Sequence, residues 1–121
     1  MFCADVVFGL TETVFVVTEG DGVVVEVCAR VFDGELERDA VVTLQTRDGS
    51  AVSQGAEPDY QTLSIQLTFT PSMIVMCRNI TILNDVFYED PENLTVVLTT
   101  VDPDVTLTPD EGTITILDED G

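Results

Sequence analysis

Apolar and polar residues alternate in several short stretches of the chain, and glycine, proline or aspartate separates these stretches. Such a period of two predicts β-strands with one face buried, and no helical period is sustained over three turns. The predicted strands span residues 6–8 and 13–18 (one first strand, interrupted near Gly9), 23–31, 40–46, 64–70, 74–82, 94–100 and 113–117. Their number and spacing predict an all-β fold, a seven-stranded antiparallel immunoglobulin-like Greek-key sandwich.

The alternation also predicts which side chains face the core. In the second strand, one face carries small apolar residues and the other is mixed. The inward set in the second, fourth and fifth strands is Val23, Val25, Val27 and Ala29, then Ile65, Leu67 and Phe69, then Ile74, Met76, Ile80 and Ile82. Cys28 and Cys77 fall on the opposite, outward faces of their strands.

The composition narrows the possible partners. The 121 residues predict a single domain spanning 1–121, which is long enough to bury its own core. With 23 acidic residues, four arginines and no histidine, the net charge is −19, so nucleic acid is excluded as a partner by repulsion from phosphate.

No apolar run is long enough to insert into a membrane as a helix. The N-terminal residues lack a signal-peptide pattern, so we expect a secreted form to be part of a longer protein.

Acidic residues gather in four connections that we expect at one end of the sandwich. In an up-and-down chain, turns separated by an even number of strands meet at the same end. These connections hold Glu19, Asp59, the segment 84–92 and the closing 118–120. Calcium binds six to eight oxygen ligands, so crowded carboxylates at one tip predict a calcium site. The alternative interpretation is a solvated acidic surface.

The order of several motifs resembles the Calx-beta domain over nearly the whole chain. These motifs are Val-Thr-Glu-Gly-Asp-Gly at 17–22, Arg-Asp-Gly-Ser-Ala at 47–51, Asp-Tyr at 59–60, Leu-Thr-Phe-Thr-Pro at 67–71, Ile-Leu-Asn-Asp at 82–85, Glu-Asp-Pro-Glu-Asn at 89–93 and Thr-Ile-Thr-Ile-Leu-Asp-Glu-Asp at 113–120. Modules of this kind occur in sodium–calcium exchangers and in long extracellular adhesion proteins.

The resemblance implies a ligand set for Ca²⁺ and a biological setting. The implied ligands are Glu19, Asp59, Asp85, Glu89, Glu92, Asp118, Glu119 and Asp120. Asn84 and Val86 stand where the family often has aspartate, so some ligands of the family are missing here. We expect a calcium-binding module of an extracellular or membrane-attached adhesion or cell-communication protein, one repeat among several, with neighbouring repeats or other proteins as partners. A structural repeat that binds no calcium is the alternative.

Three cysteines and two asparagine-linked glycosylation patterns (sequons) indicate whether the protein is found in an oxidising, extracellular setting. Strands two and five are neighbours in an immunoglobulin-like sandwich, so Cys28 and Cys77 are placed to form a cross-strand disulfide, with free thiols as the alternative. Cys3 is left over, and no histidine or Cys-x-x-Cys pair suggests zinc. Asn79-Ile80-Thr81 and Asn93-Leu94-Thr95 match the glycosylation pattern, which also arises by chance.

An enzyme is the remaining class of function. Glu89 and Glu92 are spaced as a conceivable acid–base pair. No other part of the sequence indicates a substrate cleft, and the same oxygens are explained by cation binding. We therefore expect a protein without catalytic activity.

Overall fold

The computed structural model describes residues 6–20, 22–55, 58–83 and 90–117. These residues form two β-sheets and no helix, so none of them belongs to a helix that could cross a membrane. The strands are β1 (Val6–Leu10), β2 (Val14–Thr18), β3 (Val24–Asp33), β4 (Ala40–Asp48), β5 (Ser64–Phe69), β6 (Val75–Thr81), β7 (Glu92–Thr99), β8 (Val105–Leu107) and β9 (Glu111–Leu117).

One sheet has the strand order β6-β3-β1-β8 and the other β2-β9-β7-β4-β5. The all-β sandwich is therefore confirmed, but the described residues contain nine strands rather than seven. The predicted break in the first strand is confirmed, but its two parts count as separate strands, because the chain leaves one sheet after Leu10 and enters the other at Val14. The prediction missed β8, whose three residues are too few to show an alternation. The all-antiparallel prediction is also wrong, since β1 pairs with β8, and β2 with β9, in parallel.

Gly9 does not interrupt its strand, contrary to the prediction. It lies inside β1 and pairs with Arg30 of β3. A Cβ atom at this position would lie 2.3 Å from the carbonyl oxygen of Thr108, whose amide donates a hydrogen bond to the Phe8 carbonyl. Glycine is required here because the backbone following β8 packs directly against β1.

The core lies between the two sheets and follows the predicted alternation closely. Val25, Val27 and Ala29 of β3 are buried, while Val24 is 48% exposed. The aromatic rings of Phe8 and Phe69 meet edge to face across the sheets, with centroids 4.7 Å apart. The core residues are Val6, Phe8, Leu10, Val25, Val27, Ala29, Val31, Ala40, Val42, Leu44, Ala51, Tyr60, Leu67, Phe69, Ile80, Ile82, Leu94, Val96, Leu98, Ile114 and Ile116.

Ile74 is the one inward-facing residue predicted wrongly, since 43% of its surface is exposed. β6 begins only at Val75, and Ile74 lies between the Thr70–Met73 turn and the strand, where its carbonyl accepts a hydrogen bond from the Val31 amide. The rest of that face agrees with the prediction, because Ile80 and Ile82 are buried and Met76 packs against the core.

Cys28 and Cys77 form a disulfide, as predicted. They lie directly opposite each other in the antiparallel β3–β6 pair. Neither is a core residue, and the bond joins the two strands on the outer face of their sheet. This bond ties together two segments that are 49 positions apart in the chain.

Candidate metal centre

Several strand ends meet at one end of the sandwich, which we call the acidic tip. It is defined here by Glu19, Asp48, Glu92 and the described residues of loop 49–60, namely 49–55 and 58–60. Thr18 pairs with Leu117, and the neighbouring Ile116 pairs with Glu92, so β2, β9 and β7 reach this end together. Loop 49–60 joins them there, because the Ala51 amide donates to the Asn93 carbonyl at 2.8 Å.

Glu19 directly follows β2 and is buried, with 6% of its surface exposed. Its backbone amide donates a hydrogen bond of 2.8 Å to the Leu117 carbonyl, which continues the β2–β9 pairing by one residue. The strand therefore fixes the position of this residue. Its side-chain Oε1 atom is shielded from bulk water, as the ligands of an enclosed cation are.

Asp59 is the second buried carboxylate, 7% exposed. The Val52 amide donates to its Oδ2 atom at 2.9 Å, and the Asp59 amide donates to the Val52 carbonyl at 2.7 Å. The Leu83 amide in turn donates to the Asp59 carbonyl at 2.9 Å. These bonds hold Asp59 between loop 49–60 and the end of the fifth predicted strand, so its register is set by backbone contacts.

Glu92 is the first residue of β7 and is half-buried. Pairing with Ile116 holds its backbone in a central strand of the sheet. The next residue, Asn93, donates its amide hydrogen to Ser50 Oγ at 2.9 Å. A side chain carried by such a strand loses little backbone freedom when it binds an ion.

Asp48 and Tyr60 form a contact at the acidic tip that the sequence analysis missed. The Tyr60 hydroxyl donates a hydrogen bond to Asp48 Oδ1, which also accepts one from the Ser53 amide at 3.0 Å. The bond from Tyr60 lowers the pKa of the Asp48 carboxyl. Burial, and then the same bond, raises the pKa of Tyr60 to about 12. In the sequence, Asp48 and Tyr60 appeared only in two separate motifs, Arg-Asp-Gly-Ser-Ala at 47–51 and Asp-Tyr at 59–60, and their spacing did not indicate a contact.

Five of the predicted ligands lie outside the described residues: Asp85, Glu89, Asp118, Glu119 and Asp120. The same holds for Asn84 and Val86, and for Glu89 as half of the conceivable acid–base pair. The described residues that precede these segments are Leu83 and Leu117. Both lie at the acidic tip, through their hydrogen bonds with Asp59 and Glu19.

Among the described residues, the potential ligand atoms of Glu26, Cys28 and Cys77 lie within 4.8 Å of one another. This group is not a metal site, because both sulfurs are in the disulfide and neither is a thiolate. Glu19, Asp59 and Glu92 share one end of the sandwich but do not form so tight a group. Within the described residues, the carboxylate oxygens of the tip are therefore too far apart to form a complete coordination site by themselves.

Comparison with known proteins agrees with this architecture. The Calx-beta domain family matches residues 4–120. The apo-form Calx CBD1 domain has a TM-score of 0.83 at 24% identity, covering 95% of this chain and 98% of that one. CBD12 from CALX1.2 gives a TM-score of 0.82 at 25% identity, covering 94% of this chain and 46% of that one.

The calcium binding domain CBD12 of CALX1.1 gives a TM-score of 0.80 at 25% identity, with coverage of 93% and 44%. This chain therefore spans less than half the length of either CBD12 structure. Curated protein sequences gave no significant match. The family match extends over almost the whole chain and agrees with the two-sheet fold. The chain therefore belongs to the Calx-beta domain family.

Proposed function

We propose that this chain is a calcium-binding module whose acidic tip holds Ca²⁺ and is made more rigid by it. The observation that carries the proposal is the placement of Glu19, Asp59 and Glu92 at one end of the sandwich, two of them buried. Carboxylates that are set by strand pairing and turned away from water are suited to a hard cation. Asp85, Glu89, Asp118, Glu119 and Asp120 complete the proposed ligand set.

Electrostatics supports a cation at this end. The chain carries a net charge of −19, and among the described residues Glu19, Asp48, Asp59 and Glu92 all lie at the tip. Two unit charges about 4 Å apart repel by roughly 4 kcal/mol at an effective dielectric constant of 20. Bound dications offset this repulsion, so calcium binding to the folded protein stabilises it.

We further propose that the chain is a single domain and one repeat of a longer extracellular or membrane-attached protein in adhesion or cell communication. One observation supports an oxidising compartment, a second supports the repeat and a third supports calcium binding. The Cys28–Cys77 disulfide is typical of an oxidising compartment. Related CBD12 structures are more than twice as long as the matched region. Finally, one of those relatives is described as a calcium binding domain. In this proposal the protein partners are neighbouring repeats or other proteins. We propose no catalytic reaction for the chain.

A structural repeat that binds no calcium is the second candidate. It is favoured by the wide spacing of Glu19, Asp59 and Glu92 oxygens, which do not come within 4.8 Å of one another as a group. A repeat of this kind uses the acidic tip only as a solvated, repulsive surface.

Isothermal titration calorimetry of the purified chain with CaCl₂ and, separately, MgCl₂ tests the proposal. Saturable calcium binding with a dissociation constant of about 0.1–1 mM is expected for an extracellular module. Magnesium should bind more weakly, because it requires a compact octahedral shell. Heats of dilution alone with both ions would contradict the proposal and support the structural repeat.

A further inference from the structure

The glycosylation pattern Asn79-Ile80-Thr81 lies in β6, whose residues alternate between the core and solvent. Ile80 is 1% exposed, so its neighbours Asn79 and Thr81 are directed to the outer face. Asn79 is exposed and lies opposite Glu26 in the β3–β6 pair. No hydrogen bond joins its side chain to another of the residues described in the structure. Among the named strands, β6 has only β3 as a neighbour, and on its other side residues 59–61 pair with Thr81, Ile82 and Leu83.

We propose that Asn79 is an N-glycosylation site; this inference rests on the extracellular setting proposed above. The donor is a lipid diphosphate-linked oligosaccharide. The Asn79 Nδ2 atom forms a bond to the anomeric carbon of the first sugar, and the bond from that carbon to the diphosphate oxygen breaks. The amide gives up one proton, and the lipid diphosphate leaves with the bonding electron pair. The product is a neutral glycosyl amide on the outer face of the sheet.

The second sequon provides an internal comparison. Asn93 lies in β7, between β4 and β9, and not at a sheet edge. Its amide and carbonyl are engaged by Ser50 and Ala51 of the acidic tip. Its Oδ1 atom lies 2.7 Å from the point that a Cβ atom on Gly49 would occupy. Both asparagines are exposed, but the Asn93 side-chain amide lies against the turn at Gly49, whereas Asn79 lies on the outer face of its sheet.

The disulfide supports the extracellular setting on which this inference rests. Cys77 is two residues before Asn79 on the same outer face, and it is bonded to Cys28. Disulfides form in the oxidising secretory compartments of cells, and asparagine-linked glycans mark the same class of secreted and surface proteins. The oxidised pair and the exposed sequon thus indicate one compartment through different chemistry.

A glycan here has a physical consequence for the edge of the sheet. The face around Asn79 carries exposed apolar side chains, with Val24 48% and Val75 45% exposed. An exposed strand edge beside apolar residues favours pairing with other chains. A sugar on Asn79 covers this edge, so we expect the glycosylated chain to remain monomeric at concentrations where the unmodified chain associates.

Secretion of the full chain from eukaryotic cells, behind an added secretion signal, tests the proposal. Wild type should lose mass on gels after peptide N-glycosidase treatment, and its tryptic peptides should show conversion of Asn79 to aspartate. N79Q and T81A should show no such shift, whereas N93Q and the sequon-preserving T81S should keep it. T81A retains Asn79 itself, so it serves if N79Q is not secreted.

Two results would overturn the inference: secreted wild type with unmodified Asn79, or a mass shift that survives in N79Q and disappears in N93Q. Calcium titration of protein made without glycosylation reports on the proposed function separately. A chain that binds calcium but carries no sugar at Asn79 would therefore reject this inference alone.

Discussion

Removal of the Cys28–Cys77 disulfide should lower the stability of the domain more than most single surface changes. The bond closes a loop with a sequence separation of 49. In the chain-entropy model, a crosslink over this length reduces the entropy of the unfolded chain by an amount worth about 4 kcal/mol at 25 °C. Unfolding entropy is about 2.1 cal/mol/K per residue, or about 0.25 kcal/mol/K for this chain, so the Tm should fall by about 15 °C.

The assay is differential scanning calorimetry of the double variant C28A/C77A, with both proteins carrying C3A to prevent alternative pairing. Treatment of the C3A protein with a reductant should reproduce the loss, and the same reductant should leave C28A/C77A unchanged. A fall of less than about 3 °C in both experiments would refute the reasoning. Such a result would mean that the unfolded chain keeps contacts between the β3 and β6 segments without the disulfide, or that the disulfide does not form.

Three further predictions concern the acidic tip. Tyr60→Phe removes the bond to Asp48 but keeps the buried ring, so the free energy of unfolding should fall by about 1 kcal/mol in urea titrations. Because the folded-state pKa of Tyr60 is about 12 and its unfolded value about 10, wild type should lose stability as pH rises from about 10 to 12, and Tyr60→Phe should lose less. Gly49→Ala places a Cβ atom 2.5 Å from the Asn93 carbonyl oxygen, so its free energy of unfolding should fall by about 1–3 kcal/mol, measured by thermal melting. A Cβ atom at Gly22 meets no atom within 4 Å, so Gly22→Ala is strained by its positive φ and not by a steric clash.

The sequence could predict those features that depend on local alternation. Val25, Val27 and Ala29 show the period of two without interruption, and the structure buries all three. The disulfide follows from the same pattern, because Cys28 and Cys77 share an outward face in strands that pair. The placement of Glu19, Asp59 and Glu92 at the same end of the sandwich was predicted from the number of strands between them, although the predicted total of seven strands was wrong. Glu19 and Glu92 still share an end, because Thr18 pairs with Leu117 and the neighbouring Ile116 pairs with Glu92.

Features that depend on tertiary pairing could not be predicted in this way. The division between Leu10 and Val14 is a change of sheet, and both strands are rich in apolar residues although β1 is mostly buried and β2 lies at a sheet edge. β8 is only three residues long and takes its place through pairing with β1. The contact of Tyr60 with Asp48 spans a loop of irregular backbone, so no periodicity relates the two residues.

The central claim is that calcium binds at the acidic tip, and a thermal melt of matched variants tests it most directly. Glu92 and Glu111 lie near opposite ends of the paired strands β7 and β9, opposite Ile116 and Val97 respectively. Glu92→Gln and Glu111→Gln therefore remove the same charge from adjacent strands, but at different ends of the sandwich. Calcium at 10 to 100 times its dissociation constant stabilises by about 1.4–2.7 kcal/mol, or about 5–10 °C in this domain.

Wild type and Glu111→Gln should both gain this rise in Tm on addition of calcium, whereas Glu92→Gln should lose most of it. In chelator, Glu92→Gln should melt no lower than wild type, because one repulsive charge has been removed from the tip. Equal melting temperatures of wild type in calcium and in chelator would contradict the account, as would an equal calcium response in Glu92→Gln and Glu111→Gln.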